Sequence, residues 1–347
     1  MADGAPQGLR YPWPEPPEHG TAVEVAEGVL WFRLPLPMKL DHVNIYALDD
    51  GDSWTVIDTG FDTGKTRRLW QDMMAGPMGG KPVGRVIVTH HHPDHIGLAG
   101  WFQSEFGAEL VTTRTAWLMA RMLVLDVQET PLPETLAFYR SAGMDPELYQ
   151  KRAGERPFNF ADIVAPIPLG YTRIQQDQTI RIGGRTWDIH MGNGHAPEHA
   201  TFWSRDDNLV LSGDQILSSI SPNVGVHATE PMADPIGEWL EACERLEPLA
   251  RADQLVLGGH KLPFTGLPTR MRQLIDNHHG ALKRLLEYID TPKSATECYA
   301  PLFKRKIGEG EYGLAMVEAF AHLSHLHQTG LATRALRDDG AFVFQKA

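Results

Sequence analysis

The segment with the most evident chemistry contains four histidines and one aspartate within six consecutive positions: His90, His91, His92, Asp94 and His95. Burying so many imidazoles beside a carboxylate is costly unless something organises them, and a cation does so. Imidazole nitrogen and carboxylate oxygen suit Zn²⁺ and neighbouring transition metals. In an extended turn His90 and His92 point to the same side, whereas Asp94 and His95 continue around the bend. One loop can therefore face two metal positions.

Three further candidate ligands are isolated in the sequence, and each follows a predicted strand. They are His195 in Gly192-Asn193-Gly194-His195, Asp214 in Ser212-Gly213-Asp214, and His260 in Gly258-Gly259-His260. The neighbouring glycines permit close backbone approach and unusual dihedral angles. Upstream, Asp58 ends another predicted strand. Since α/β proteins commonly place their sites where strands end, these residues are candidates for one site.

Taken in order, Asp58, the HxHxDH segment, His195, Asp214 and His260 resemble the five motifs of the metallo-β-lactamase-fold hydrolases. The resemblance covers about residues 22–265. It implies an α/β fold, an αββα sandwich of two similar halves with metals at one edge of the sheets. The general organisation is most similar to the glyoxalase-II-like branch that carries a helical insertion and a C-terminal tail.

The resemblance also implies which side chains hold two divalent metal ions. His90, His92 and His195 would bind the first ion. Asp94, His95 and His260 would bind the second, and Asp214 would bridge the two. Zn is the leading identity, although ligands of this kind also accept Fe, Mn or Co.

Two neighbouring residues would orient those ligands. Asp58 is expected to hold the ligand loop, a role that a buried carboxylate near a metal site commonly has. His199 resembles the second histidine of the family's GHxxxH pattern. His91, in contrast, is expected to face away from the metals.

The implied mechanism uses a hydroxide that bridges the two metal ions near neutral pH. Asp94 and Asp214 would be the catalytic residues, because they are placed to orient this hydroxide, and Asp94 could pass a proton to the leaving group. Candidate substrate contacts are His42 and Asn44 before the second predicted strand, Met122 on the insertion, and His227 in the loop after Asp214.

The elements around these residues divide the chain into four parts. We predict an N-terminal arm over residues 1–21 and a catalytic domain over 22–268. Apolar residues at helical spacing, interrupted by prolines, predict a helical insertion over 115–165. Two periodic helices followed by Asp338-Asp339-Gly340 and an apolar strand predict a small α+β, winged-helix-like tail over 269–347.

Composition narrows the class of protein. The 347 residues carry a formal net charge of −12, which argues against a nucleic-acid partner. No apolar run approaches the roughly 20 residues of a membrane helix, and the N-terminus lacks a secretory signal. Two cysteines are too few for a disulfide framework. These features predict a cytoplasmic protein with no membrane association.

The leading functional prediction is hydrolysis of a carboxylic ester-like bond in a small acyl substrate: a thioester, a lactone or a β-lactam. The alternative is a metal-dependent phosphodiesterase or endoribonuclease, suggested by the winged-helix-like tail and its basic residues, Lys283, Arg284, Lys304, Arg305 and Lys306. The apolar faces of the tail helices are expected either to dock on the sandwich or to pair two subunits in a homodimer.

Overall fold

The computed structural model describes residues 8–347, so the first seven residues of the predicted arm lie outside the described part. Two β-sheets pack face to face, and helices cover both outer faces. This is the predicted αββα sandwich.

The first sheet has seven strands in chain order. Strands β1 to β4 are antiparallel, and β4 to β7 are parallel. Their bounds are β1 Val23–Ala26, β2 Val29–Pro35, β3 His42–Asp49, β4 Trp54–Ile57, β5 Val83–Ile87, β6 Glu109–Thr112 and β7 Thr172–Arg173.

The second sheet has five strands in the order β12-β11-β10-β9-β8, with only the β11–β12 pair parallel. Their bounds are β8 Thr179–Ile182, β9 Arg185–Gly192, β10 His199–Ser204, β11 Leu209–Gly213 and β12 Leu255–Gly258. The candidate residues His195, Asp214 and His260 all follow ends of these strands.

The layer between the sheets is apolar because alternate strand residues point inward from both sides. Trp31 and Ile87 of the first sheet share this core with Trp187 and Phe202 of the second. The outer face of the first sheet packs on α1 (Gly64–Ala75) and α3 (Ala99–Phe106); the short helix α2 (Pro93–Ile96) lies between them in sequence.

The insertion forms three separate helices, α4 (Arg114–Leu125), α5 (Pro133–Ser141) and α6 (Pro146–Gly154), followed by one 3₁₀ turn at Phe160–Asp162. Pro133 and Pro146 are the first residues of their helices, where a missing backbone N–H has no cost. The prolines therefore divide the insertion into short helices.

The tail packs against the outer face of the second sheet together with α7 (Pro235–Leu246). It comprises α8 (Leu267–Tyr288), α9 (Tyr299–Phe303), α10 (Tyr312–Gln328) and the hairpin β13 (Ala332–Leu336) and β14 (Phe342–Lys346). Phe320 of α10 and Leu274 of α8 share one buried cluster with Trp239 of α7. The tail thus docks on the sandwich, while the predicted domain division at residues 268/269 stays a prediction.

Within residues 8–347, no helix combines the length and hydrophobicity needed to cross a lipid bilayer.

Candidate metal centre

The first group of candidate ligands is formed by the loop after β5 and the loop after β9. His92 precedes α2 with extended backbone, because Pro93 begins that helix. His90 Nε2 lies 3.0 Å from His92 Nδ1. Together with His195, these histidines place three ligand atoms within 4.8 Å of one another.

The second group comes from α2 and the loop after β12. Asp94 Oδ2 lies 3.4 Å from His95 Nε2 and 3.3 Å from His260 Nε2. These three side chains also place ligand atoms within 4.8 Å of one another.

Asp214, which follows β11, lies between the two groups. Its Oδ2 is 3.5 Å from His195 Nε2 and 3.1 Å from His260 Nε2, and its Oδ1 is 3.5 Å from His95 Nε2. The structure thus brings together all seven residues that the sequence suggested as metal ligands, with Asp214 between the two groups.

The chemistry of this arrangement fits divalent metal ions. His95 Nε2, His195 Nε2 and Asp214 Oδ1 are buried and have no hydrogen-bond partner among the described residues. An unsatisfied buried polar atom costs about 1–3 kcal/mol, and metal ions held by the two ligand groups would satisfy all three atoms. A Cβ added at Gly259 would overlap Asp214 Oδ1, so only glycine fits beside this carboxylate.

The carboxylates and imidazoles strongly perturb one another's pKa values. Burial alone would raise the pKa of Asp214, but His260 and His95 beside it hold that pKa well below its usual range. Burial would lower the pKa of His260, yet Asp214 and Asp94 raise it to about 9. Burial keeps the pKa of His90 well below its usual value, so this imidazole is neutral, the form that binds metals.

Asp58 orients His95 and the start of the ligand loop, the role that the sequence suggested. Its Oδ2 lies 2.8 Å from His95 Nδ1, and its Oδ1 accepts a hydrogen bond from the Thr89 backbone N–H at 2.8 Å. Asp58 is 2% exposed and has a φ of 64°, an unusual value for a residue other than glycine. The carboxylate therefore directs His95 Nε2 toward the other candidate ligands.

Two backbone carbonyls orient two other histidines in the same way. His260 Nδ1 lies 2.7 Å from the His42 carbonyl oxygen, and His195 Nδ1 lies 2.7 Å from that of Asn223. A ring N–H that donates to a carbonyl fixes the tautomer and leaves Nε2 free for a metal.

His199 is fully buried and stacks on His90, with ring centroids 4.5 Å apart. Its Nε2 accepts a hydrogen bond from the Asp214 backbone N–H at 3.0 Å. Because burial lowers the pKa of His199 to about 3, the ring is neutral and can accept this bond. His199 therefore holds Asp214, as the sequence suggested.

The predicted substrate contacts have more varied surroundings. Asn44 is buried, and both ends of its amide are used within the protein. Its Oδ1 accepts hydrogen bonds from Trp31 and Arg33, and its Nδ2 donates to the carbonyls of Gly258 and Lys261. His42 is 5% exposed and borders a cavity.

On the insertion side, Met122 is 45% exposed on α4. His227 is exposed in the loop after Asp214. His91 belongs to none of the three-residue ligand groups and lies parallel to Phe160 of the insertion, with ring centroids 6.5 Å apart. No structural contact decides whether Met122 or His227 meets a substrate, so both stay predictions.

Sequence reasoning missed three contributors to the centre. Asn223 orients His195 through its main chain, which any residue could supply, so its type carries no signal. Thr89 precedes the histidine segment, and its hydroxyl also donates to Asp58. The sequence predicts only that Gly259 permits close backbone approach and unusual dihedral angles beside His260, whereas the structure shows that it makes room for the Asp214 side chain.

Family models match most of this chain. The model of the metallo-beta-lactamase superfamily matches residues 38–272, which include every candidate ligand. The chain belongs to this superfamily. A second model, described as the metallo-beta-lactamase-like C-terminal domain, matches residues 282–347 in the tail.

Individual relatives agree with this assignment. A Burkholderia ambifaria beta-lactamase domain protein of known structure is 33% identical, with 98% of each chain covered and a TM-score of 0.90. The metallo-beta-lactamase family protein TTHA1429 of Thermus thermophilus is 25% identical, with 93% of this chain and 100% of that chain covered and a TM-score of 0.78.

Two curated relatives carry functional names. The probable metallo-hydrolase YqjP of Bacillus subtilis is 25% identical over 86% of this chain and 92% of its own length. A linear primary-alkylsulfatase of Pseudomonas is 24% identical over 67% of this chain, but the match spans only 43% of that protein. Together with the family match, these relatives identify the protein as a metallo-hydrolase of the superfamily.

Proposed function

We propose that the protein hydrolyses a carboxylic ester-like bond, a thioester, a lactone or a β-lactam, with two divalent metal ions held by the seven clustered side chains. The observation that carries this proposal is Asp214, whose two oxygens face both ligand groups. Zn²⁺ is the ion we expect first, since histidine nitrogen and carboxylate oxygen are common ligands of this metal.

The bound metal ions would supply Lewis acidity and lower the pKa of a water molecule toward 7. The chain's own carboxylates would then act on that water. Burial alone would raise the pKa of Asp94 and of Asp214, but the neighbouring histidines lower both pKa values by more. Both carboxylates therefore stay ionised. Each can accept a hydrogen bond from the water and orient it toward a carbonyl carbon. Asp94 contacts His95 and His260 through Oδ2 alone. Its Oδ1 can therefore take a proton from the water and pass it to the leaving group.

The insertion supports an acyl or aromatic substrate group. Phe160 lies against His91, and Phe160, Leu123 and Phe158 line a cavity of about 380 Å³. These apolar side chains favour an acyl or aromatic group, although charged residues such as Arg152 and Glu155 also line the cavity.

The alternative, a phosphodiesterase or endoribonuclease, has less support from the tail. Of the basic residues that suggested it, Arg305 pairs with Glu311 at 2.8 Å, and Arg284 donates to the Pro301 carbonyl. The ion pair offsets one positive charge that the tail could offer to phosphates, and the hydrogen bond to the neutral Pro301 carbonyl occupies one N–H donor of Arg284.

A substrate screen tests the proposal. Metal-loaded protein is assayed against thioesters, lactones, a chromogenic cephalosporin, a phosphodiester, RNA and, because of the alkylsulfatase relative, an alkyl sulfate. The proposal expects turnover of a carbonyl substrate that Asp214→Ala abolishes. Cleavage confined to RNA or the phosphodiester would replace the proposal with the alternative. An alkyl sulfate as the sole substrate would also overturn it.

A further inference from the structure

A cavity of about 630 Å³ lies beside the metal centre and beneath the N-terminal arm. Its lining includes Tyr11 of the arm, Arg33 of β2, His42, Ser218 and Lys261. His42 links the cavity to the centre, because its carbonyl accepts the His260 Nδ1 hydrogen bond and the two rings lie 5.9 Å apart. The cavity is therefore one side chain away from a candidate metal ligand.

Lys261 is held firmly by its main chain but has a free ammonium group. Its backbone N–H donates to His42 Nε2 at 2.9 Å, and its carbonyl accepts from Arg33 Nη2 at 3.0 Å and from Asn44 Nδ2 at 2.7 Å. Its φ is 67°, which few residues other than glycine adopt. Across residues 8–347 its Nζ has no hydrogen bond or ion pair, and its side chain lines the cavity.

Arg33 brings a second cation to the same cavity. Its Nε donates to Asn44 Oδ1 at 3.1 Å and its Nη2 to the Lys261 carbonyl, so both acceptors are neutral. In the described part of the chain it forms no ion pair with a carboxylate. Burial lowers the pKa of Arg33, since desolvation disfavours its charge, and an anion in the cavity would offset that cost.

The negative charge in the lining comes from Asp41. Its Oδ1 lies 2.6 Å from His42 Nδ1, and its side chain is 81% exposed. The carboxylate therefore faces solvent and is already used by His42. The lining thus has two positive side chains, Arg33 and Lys261, and one carboxylate that faces solvent. The charge of the cavity is therefore positive, whereas the whole chain has a net charge of −12.

We propose that this cavity binds a carboxylate at the non-reacting end of the substrate, with Lys261 and Arg33 as its partners and the hydroxyls of Tyr11 and Ser218 beside them. The proposal rests on the hydrolase function, because it places the scissile bond at the metals. It defines the substrate class as acyl compounds that carry one further carboxylate. The N-terminal arm then forms part of a substrate site.

Binding of a non-hydrolysable ligand pair tests this site without turnover. The ligands are two thioethers of identical length that end in a carboxylate or in the matching carboxamide, titrated calorimetrically into metal-loaded protein. The wild type should bind the carboxylate about tenfold or more tightly than the carboxamide, as expected for one charge-assisted hydrogen bond. Lys261→Met should reduce this ratio to near one. Lys283→Met removes an exposed lysine of α8 and should leave the ratio unchanged.

Two results would overturn the proposal: equal binding of both ligands by the wild type, or a preference that survives in Lys261→Met. A second measurement needs no variant. If the preference arises from charge, it should decrease as potassium chloride rises from 50 to 500 mM, whereas a salt-independent preference would contradict it. Failure of the substrate screen with a positive result here would reject the hydrolase chemistry and keep the carboxylate site.

Discussion

Glu318 of the tail accepts a hydrogen bond from Asn223 Nδ2 at 2.8 Å, and the Asn223 carbonyl in turn lies 2.7 Å from His195 Nδ1. The same loop donates from the Val226 backbone N–H to the Val317 carbonyl. Helix α10 therefore supports the loop that orients a candidate metal ligand. The tail contributes to the metal centre as well as to the apolar core.

Glu318→Ala should weaken metal binding at the His195 group. Loss of an outer partner that orients a ligand typically costs about tenfold in metal affinity. Glu318→Gln keeps an oxygen that can accept from Asn223, and its affinity should stay near that of the wild type. Competition with a chromogenic chelator measures both. Equal affinities for the wild type and the alanine variant would show that α10 does not position His195.

The same glutamate should make stability depend on pH. Burial raises the pKa of Glu318 to about 7, an effect that the Asn223 hydrogen bond only partly opposes. A raised pKa in the folded state means that folding favours protonated Glu318. The stability that this residue contributes is therefore fully present below the unfolded-state pKa of 4.5 and is lost as the pH rises to the folded-state value of about 7. Relative to Glu318→Gln, the wild type should lose up to about 3 kcal/mol of unfolding free energy over that range.

Urea unfolding of both proteins at pH 5 and pH 7.5 checks this. The difference between wild type and Glu318→Gln isolates Glu318, since all other titrations are common to both proteins. A difference that is the same at both pH values would contradict the raised pKa.

Asp58→Asn should weaken the site that contains His95. The variant keeps the side-chain shape but loses the carboxylate that accepts from His95 Nδ1, and metal affinity should fall about 10–100-fold. Asparagine tolerates the positive φ of this position, so the backbone should be preserved. Asp177→Asn is a matched control, because Asp177 has a φ of 62° and an exposed side chain that, among the described residues, has no ion pair with a candidate ligand. Metal titration with unchanged affinity in Asp58→Asn would contradict the positioning role.

Gly259→Ala should displace the Asp214 carboxylate while leaving every candidate metal ligand in the sequence. The new methyl group would overlap Asp214 Oδ1 and approach His95 Cε1, so the carboxylate must move. Metal content, measured by elemental analysis, should fall clearly below that of the wild type. Gly154→Ala, where a Cβ meets open space at the end of α6, should retain full metal content. Full occupancy in Gly259→Ala would show that the centre tolerates a displaced Asp214.

The sandwich and the assignment of the ligands could be predicted because five motifs of the sequence resemble those of the metallo-β-lactamase-fold hydrolases. Strand β4, Trp54–Ile57, coincides with a short apolar run beside a turn and ends just before Asp58, where the sequence predicts the end of a strand. The histidine segment could be singled out because burying several imidazoles beside a carboxylate is costly unless a cation organises them. His199 could be assigned to ligand orientation because it matches the family's GHxxxH pattern. Asp58 matches a family motif as well, and a carboxylate near a metal site commonly has this role.

The remaining contacts could not be predicted because they depend on long-range packing. Asn223 and Glu318 are 95 positions apart, and neither belongs to a motif. Asn44 is a polar residue near the site, so its sequence position is compatible with a substrate contact. Only the folded structure shows that its hydrogen bonds hold Arg33 and Lys261 in place. Likewise, the position of Tyr11 beside the cavity depends on how the arm crosses the sandwich.

The central claim, a two-metal hydrolytic centre bridged by Asp214, is tested most directly by metal content per chain. The protein is purified without chelator and analysed for Zn, Fe, Mn and Co, beside Asp214→Ala. We expect about two metal ions per chain in the wild type and at most about one in the variant, with loss of carbonyl-substrate turnover. One ion or fewer in the wild type, or two ions retained in the variant, would contradict the bridged two-metal centre.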